Sequence, residues 1–400
     1  MSLIALAEEL QPRLIEWRRH LHRHPEPSFA ERKTQGFIID QLSSLPRLRI
    51  KTAAQTGVIV DLVTEERGPW IALRADIDAL PIEEKPDRPY RSTRPGYMHA
   101  CGHDAHTAIL LGTVHLLATG HFHWRGGIRF IFQPGEEKSP GGASLLIQEG
   151  VIDEVPIEAI WALHVTPQLP VGKVGLRAGP FMAASDEIYI HLEGSGGHAA
   201  YPHLAPDPIA IGAYLITQLQ MLVSRGVDPR SPTVLTFGQF HAGSAPNIIP
   251  TCAEIAGTLR TFDESWRQRS KALLTQIVHQ TAESWGLRAQ VDLRPGYPVL
   301  YNDPILTHQT RRWLSALLGE EHVVEMPLWL SSEDFAFYSQ RVPSCFIRLG
   351  TAGDAPDTHR PVHTPDFDID ERALAVGVAV LSHVAMSFFR EKSAEASQGK

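Results

Sequence analysis

Apolar residues recur along this chain in two rhythms, one helical and one extended. Between residues 3 and 23 they fall at helical spacing (Leu6, Leu10, Leu14, Trp17, Leu21), and Pro25 and Pro27 end the run. A second helix is expected over 29–42. The runs 58–63 and 70–74 read as strands, the second nearly all apolar, as a strand covered on both faces must be. Ile109, Leu110, Leu111, Val114 and Leu117 mark a helix, 127–133 a strand, Gly141 and Gly142 the opening of another helix, and 159–163 a further strand.

Beyond Arg177 the texture changes. Residues 186–192 alternate like a half-exposed strand, and 233–240, 254–260 and 289–293 also read as strands. Helical patterns cover 210–223 and 266–284. That order predicts an α+β insert with two helices on one sheet face and an edge able to pair with a second copy. Near Pro295 and Pro298 the chain returns to its first pattern, with helices over 304–318, 333–339 and 370–389 and a short strand over 345–349.

With 400 residues the chain is longer than one core usually grows. The expected organisation is an α/β domain with a central mixed sheet, formed by 1–178 and 296–392. A smaller α+β domain over 179–295 interrupts it, and 393–400 form a frayed tail. A hydrophobic share of 43% with 20% charged residues is ordinary globular composition. The net charge of −8, with both signs interspersed, argues against nucleic acid or an anionic membrane as partner. Three cysteines make no disulfide framework and suit a reducing compartment. The N-terminus lacks a basic stretch before its apolar residues, and the apolar run nearest to a membrane span, 373–380, is too short. A cytoplasmic protein is expected.

Chemistry concentrates in residues 99–106, where His99, Cys101, His103, Asp104 and His106 crowd into eight positions at the start of a helix. Cys101 and His103, at i and i+2, can face one borderline-soft divalent ion. The helix dipole and a nearby cation would both favour the Cys101 thiolate, and Asp104 would serve as N-cap. The same pair could instead form a thiolate–imidazolium couple. Asp76 and Asp78 leave the end of an apolar strand, where open α/β sheets put their chemistry, although aspartates also favour plain turns. Glu136 and Glu137 leave the strand 127–133, and neighbours on an extended chain point to opposite sides, so one can hold a metal while the other faces substrate or water. His164 directly follows the strand 159–163. His363, in the loop before the last helix, reads by itself as a surface histidine. Three strand ends and one loop-to-helix junction thus deliver Asp78, Glu137, His164, Cys101 and His103 towards one sheet edge.

These segments resemble the amidohydrolase branch of the co-catalytic metallopeptidases: hippurate hydrolases, N-acyl-amino-acid amidohydrolases, related carboxypeptidases and auxin-conjugate hydrolases. The resemblance runs through Arg18 to His22, Pro25 and Glu26, Arg74 to Pro81, His99 to Thr107, Phe132 to Glu137, Trp161 to His164, Gly196 to His203, Asn247 to Pro250, Gly257 to Arg260, Ser332 to Phe335 and His363. It implies a metal-binding domain interrupted by a smaller dimerising domain. It also implies two divalent ions, zinc or manganese with cobalt or nickel as alternatives, held by Cys101, His103, Glu137, His164 and His363. Glu136 takes the general-base position and Asp78 that of an orienting carboxylate, with Asp76 left open. His198 resembles a residue that reaches a partner subunit's site, and Asn247 and Arg260 would orient the substrate. Pro27 and Pro140 depart from the family pattern. The expected reaction is hydrolysis of N-acyl amino acids or short peptides by a homodimer or larger homo-oligomer. The alternatives are a dipeptidase, carboxypeptidase or carbamoyl-amide hydrolase on the same scaffold, a Cys101/His103 thiol hydrolase, and a non-catalytic metal-bound binding protein.

Overall fold

The computed structural model describes residues 2–65 and 67–398, and they form two compact units. The first comprises 1–179, 301–327 and 337–400; the second comprises 180–300 and 328–336. Residues 296–300 and 328–336, expected in the first domain, belong to the second.

The first unit is built on an eight-stranded mixed sheet. Its spatial order is Leu48–Ala53, Gly57–Glu65, Gly126–Gln133, Trp70–Asp76, Ile157–Pro170, Ser344–Ala352, Val174–Leu176 and Val323–Glu325. Its middle four strands run parallel to one another, so their C-terminal ends share one edge. Every residue of Trp70–Asp76, Gly126–Gln133 and Ser344–Ala352 is buried, which explains their mostly apolar character; each is interrupted by one buried arginine, Arg74, Arg129 or Arg348. The helix His103–Thr119 is buried except at His115 and Thr119. A Cβ at Gly112 in its middle would come within 2.5 Å of Leu14 and 2.8 Å of Val378, so glycine there permits the close approach of Gln11–Arg23 and Ala373–Gln398.

Several elements differ from the apolar pattern. The first helix is two, Leu3–Glu9 and Gln11–Arg23, with Pro12 in the first turn of the second. The second expected helix begins at Arg32 after Glu31, and the helix over 333–339 shrinks to Ala336–Ser339. The last helix extends over Ala373–Gln398, so 393–398 are helical where a frayed tail was expected; 399 and 400 lie outside the described residues. That helix is longer than its apolar run 373–380 indicates and matches a membrane span in length and composition. The apolar window is 83% buried in the unit, as in a core helix.

The second unit is a four-stranded antiparallel sheet in the order Thr233–Ala242, Cys252–Thr261, Ala184–Glu193, Arg288–Pro295. Ile188, Ile190 and Leu192 alternate with exposed or half-buried neighbours and face Leu215 and Leu219 of Pro208–Met221 and Leu274 and Val278 of Glu264–Ser284. Arg267 makes a two-pronged pair with the buried Asp186 at 2.7 and 2.8 Å.

Candidate metal centre

Three neighbouring parallel strands bring the first donors to one edge. Arg74 pairs with Ala162, so two residues further along both strands Asp76 and His164 reach the same level. The strand that carries His164 does not end at residue 163 but continues to Pro170. The neighbouring Gly126–Gln133 ends in a turn of Pro134, Gly135, Glu136 and Glu137. Gly135 has φ of +61°, and any Cβ there would strike the Phe29 ring at 2.2 Å.

Cys101 and His103 flank Gly102, whose φ of +82° starts the helix His103–Thr119. Gly102, not Asp104, is the N-cap. A side chain at Gly102 would meet Val165 at 2.4 Å, so only glycine lets this turn sit against the His164 strand. Asp104 lies in the first turn of the helix, fully buried, and accepts from Arg18 Nε and His22 Nδ1, both at 2.8 Å. His363 has φ of +65° and donates its N–H to Ala100 O at 2.8 Å, which fixes it beside the same turn.

The donor atoms converge. Cys101 Sγ lies 3.4 Å from His164 Nε2 and 3.3 Å from His363 Nε2, and His363 Nε2 is 3.2 Å from Glu137 Oε1. His103 Nε2 is 3.9 Å from the same Glu137 oxygen. Two groups share Cys101, one with His103 and His164, the other with Glu137 and His363, each with its donor atoms within 4.8 Å of one another. Glu136 and Glu137 form a similar group with His103.

Hydrogen bonds set the imidazoles with Nε2 inward. His164 Nδ1–H donates to Val165 O at 2.8 Å and His103 Nδ1–H to Asp78 Oδ1 at 3.1 Å, so both Nε2 atoms face the other donors. Asp78 Oδ2 accepts from Ser28 Oγ at 2.7 Å and from the Glu137 backbone N–H at 3.0 Å. One carboxylate thus orients His103 and anchors Glu137, as outer carboxylates do around metals.

These residues fit a divalent cation. His103 Nε2 and Glu137 Oε1 are buried with no hydrogen-bond partner, an arrangement that costs free energy without an ion. Burial opposes charge on His103, yet Asp76, Asp78 and Glu137 raise its pKa to about 10, a measure of uncompensated negative charge here. Burial, then Glu137, Glu136 and Asp76, push the Cys101 thiol well above its ordinary range. The helix terminus therefore does not make Cys101 a thiolate, as the sequence suggested; a bound cation is the agent able to do so. Burial, followed by the charge of Arg348, lowers the pKa of His164 and keeps it neutral, as a ligand must be.

A family model described as peptidase family M20/M25/M40 matches residues 72–387. The chain belongs to this family. It is 43% identical over 365 residues to the N-acetyl-L-cysteine deacetylase of Bacillus subtilis, covering 91% of this chain and 85% of that protein. It is 44% identical over 299 residues to the N-acyl-L-amino acid amidohydrolase of Geobacillus stearothermophilus, covering 74% and 80%. The crystal structure of the YXEP protein of Bacillus subtilis, described as a dinuclear metal binding peptidase from the M20 family, superposes with a TM-score of 0.83 at 34% identity and covers 96% and 99% of the two chains.

In this M20 chain the other expected residues lie in the second unit. His198 is exposed in the short strand Gly197–His198, which pairs with Ile248–Ile249, and Asn247 O accepts from Ala199 N–H at 3.1 Å. Arg260, at a distance from both along the sequence, is partly buried and donates to Leu330 O at 3.1 Å. Burial lowers its pKa, with no acidic neighbour to offset it.

Glu31 escaped the sequence pattern, and His106, though part of the 99–106 cluster, received no role from it. The buried Glu31 accepts from the Gly135 N–H at 2.8 Å and from Thr56 Oγ at 2.5 Å, so it holds the turn that carries Glu136 and Glu137. His106 donates to Asp76 Oδ1 at 2.5 Å, and Arg74 donates to the other Asp76 oxygen at 2.7 Å. Burial would raise the Asp76 pKa, but His103, His106 and Arg74 outweigh it and keep Asp76 ionised.

Proposed function

We propose that this protein removes the acyl group from N-acyl amino acids by hydrolysing the amide bond, with two divalent ions per subunit. The observation that carries this reading is the pair of donor groups sharing Cys101, with Glu136 beside them, in a chain of the M20 family. It is further supported by the names of relatives more than 40% identical, a deacetylase and an amidohydrolase.

Cys101, His103 and His164 would hold one ion, and Cys101, Glu137 and His363 the other. The mixed sulfur, nitrogen and oxygen donors suit zinc, with manganese, cobalt or nickel as alternatives. Such ions supply Lewis acidity towards a carbonyl oxygen and lower the pKa of water. Glu136 accepts a proton from the water whose oxygen bonds to the acyl carbon. It then delivers that proton to the amine nitrogen as the C–N bond breaks, so carboxylic acid and free amino acid leave. Asp78 keeps His103 in its inward tautomer throughout.

His198 is assigned to the oxyanion, from a second copy of the chain. Its Nδ1 accepts the Ala200 N–H at 3.1 Å, so its proton sits on Nε2, ready to donate. Arg260, lacking an acidic neighbour, is assigned to the substrate carboxylate, and Asn247 to substrate orientation. A homodimer is supported by exposed apolar side chains in the second unit: Tyr201, Leu204, Tyr214, Met221 and Ile248. Three free cysteines accord with the cytoplasm.

The test is elemental analysis of the purified protein together with hydrolysis assays on N-acetyl and N-benzoyl amino acids, dipeptides and N-carbamoyl amino acids. Chelator-sensitive turnover, highest on the N-acyl amino acids, is expected. Preference for dipeptides or carbamoyl compounds would move the assignment to another amidase on this scaffold. Chelator-resistant turnover blocked by alkylation would move it to the thiol, against the raised Cys101 pKa.

A further inference from the structure

His363 is the most weakly enclosed donor: its side chain is 51% exposed, while those of His103 and Glu137 are 1% and 13% exposed. It also comes from the far end of the chain, 262 residues from Cys101. Its backbone N–H reaches Ala100 O at 2.8 Å, a single bond between its loop and the turn that carries Cys101 and His103.

The buried guanidinium of Arg18 bridges the same two segments. Its Nε donates to Asp104 at 2.8 Å, one residue beyond His103. Its Nη2 donates to Asp368 at 2.7 Å, five residues beyond His363. Asp368 also accepts from Tyr90 Oη at 2.6 Å, and Tyr90 lies under the Arg18 guanidinium at 4.9 Å. Arg88 donates to the carbonyls of Asp366 and Phe367 at 3.0 and 2.9 Å. On the other side His22, between Asp104 at 2.8 Å and Glu84 at 3.3 Å, donates from both ring nitrogens. One backbone hydrogen bond, His363 N–H to Ala100 O at 2.8 Å, joins the two donor segments directly, and Arg18 adds a side-chain link from a third element, the helix Gln11–Arg23.

We infer that Arg18 is a positioning residue that sets the spacing between the Cys101–His103 turn and the His363 loop, and so the affinity of the ion held by Cys101, Glu137 and His363. This rests on the two-ion reading above. The planar fork explains the residue type: Nε and Nη2 point to two different carboxylates, which a single ammonium cannot match in direction. Outer groups of this kind typically change metal affinity 10- to 100-fold when removed.

The experiment is competition titration of zinc into metal-free protein against a chromophoric chelator, for wild type, Arg18→Lys, Asp368→Asn and His363→Ala. Asp368→Asn weakens the link from its outer end, keeps the side-chain shape and leaves the Arg18–Asp104 pair in place, so it is a second, milder break beside Arg18→Lys. Expected are two zinc ions in wild type, one of them weakened about 10- to 100-fold in Arg18→Lys and Asp368→Asn and lost in His363→Ala, with the other unchanged. A merely structural role would lower the melting temperature and leave both affinities of the folded protein as in wild type; that result would overturn the inference. Equal weakening of both ions would overturn it too. Wild type that binds no second zinc would remove the two-ion reading itself, and this inference with it.

Discussion

His106 Nε2 accepts the backbone N–H of Val165 at 2.9 Å. The lone pair that would make His106 a ligand is therefore spent on the strand that carries His164, and its other nitrogen holds Asp76. His106 lies in a group with Asp76 and His103 that has the spacing of a metal site, but its hydrogen bonds make it a support for the strand that carries His164.

His106→Ala should leave the number of bound ions unchanged at saturating metal while lowering affinity about 10- to 100-fold, because the Val165 N–H loses its partner and His164 its fixed position. Metal content by elemental analysis, with competition titration, reads both quantities. Loss of one ion at saturation would show that His106 is a ligand after all.

Glu136→Gln should retain metal and fold and lose about 10²- to 10⁴-fold in kcat, since the amide cannot take the proton from water. Steady-state kinetics beside metal analysis decide it. Turnover equal to wild type would remove Glu136 from the proton path.

Mixing inactive Glu136→Gln with inactive His198→Ala should restore part of the activity if His198 serves a partner's site, because one site of each mixed dimer is intact. Subunit exchange is followed with differently tagged chains, and proven exchange without recovered activity would place His198 outside the shared mechanism.

Burial, and to a lesser degree the charge of Asp78, raises the pKa of Glu31 from 4.5 to about 7, against the hydrogen bonds from Thr56 and Gly135. Between those values the unfolded chain releases its proton while the folded chain keeps it, so stability falls as pH rises from 4.5 to 7 and levels off above. The whole effect is on the order of 3 kcal/mol. Urea unfolding at pH 5 and pH 8 should show a smaller decline for Glu31→Gln than for wild type. Identical declines would mean that Glu31 is ionised in the fold.

Arg267→Met should destabilise the second unit by about 3 to 5 kcal/mol, because the buried Asp186 loses its two-pronged partner. Replacing both, Asp186→Leu with Arg267→Met, should recover most of that loss. Thermal unfolding of the three variants measures it, and a single variant as stable as wild type would mean that Lys271, 3.6 Å from Asp186, suffices as partner.

The local pattern carried much of this molecule. Near-continuous apolar runs located the central strands, and helical spacing the buried helix after His103, because those elements are covered on every face. It failed where polar contacts decide. Pro12 divides the first helix, and the fully buried Asp104 is polar for the sake of Arg18 rather than as a cap. Glu31 fell inside the helix expected over 29–42 and Ser28 just before it, with no role for either, since nothing in the order of residues shows that Gly135 and Asp78 lie against them.

The order of residues determined which groups exist and which strand ends carry them, because side-chain chemistry and hydrophobic period are local properties. Only the tertiary structure decided which nitrogen of each histidine faces inward, that both nitrogens of His106 are engaged while Nε2 of His103 is not, and that one arginine near the N-terminus joins two segments more than 200 residues apart. Hydrogen-bond direction and spacing between segments are fixed by through-space neighbours, and the parallel strands choose those neighbours when they pack.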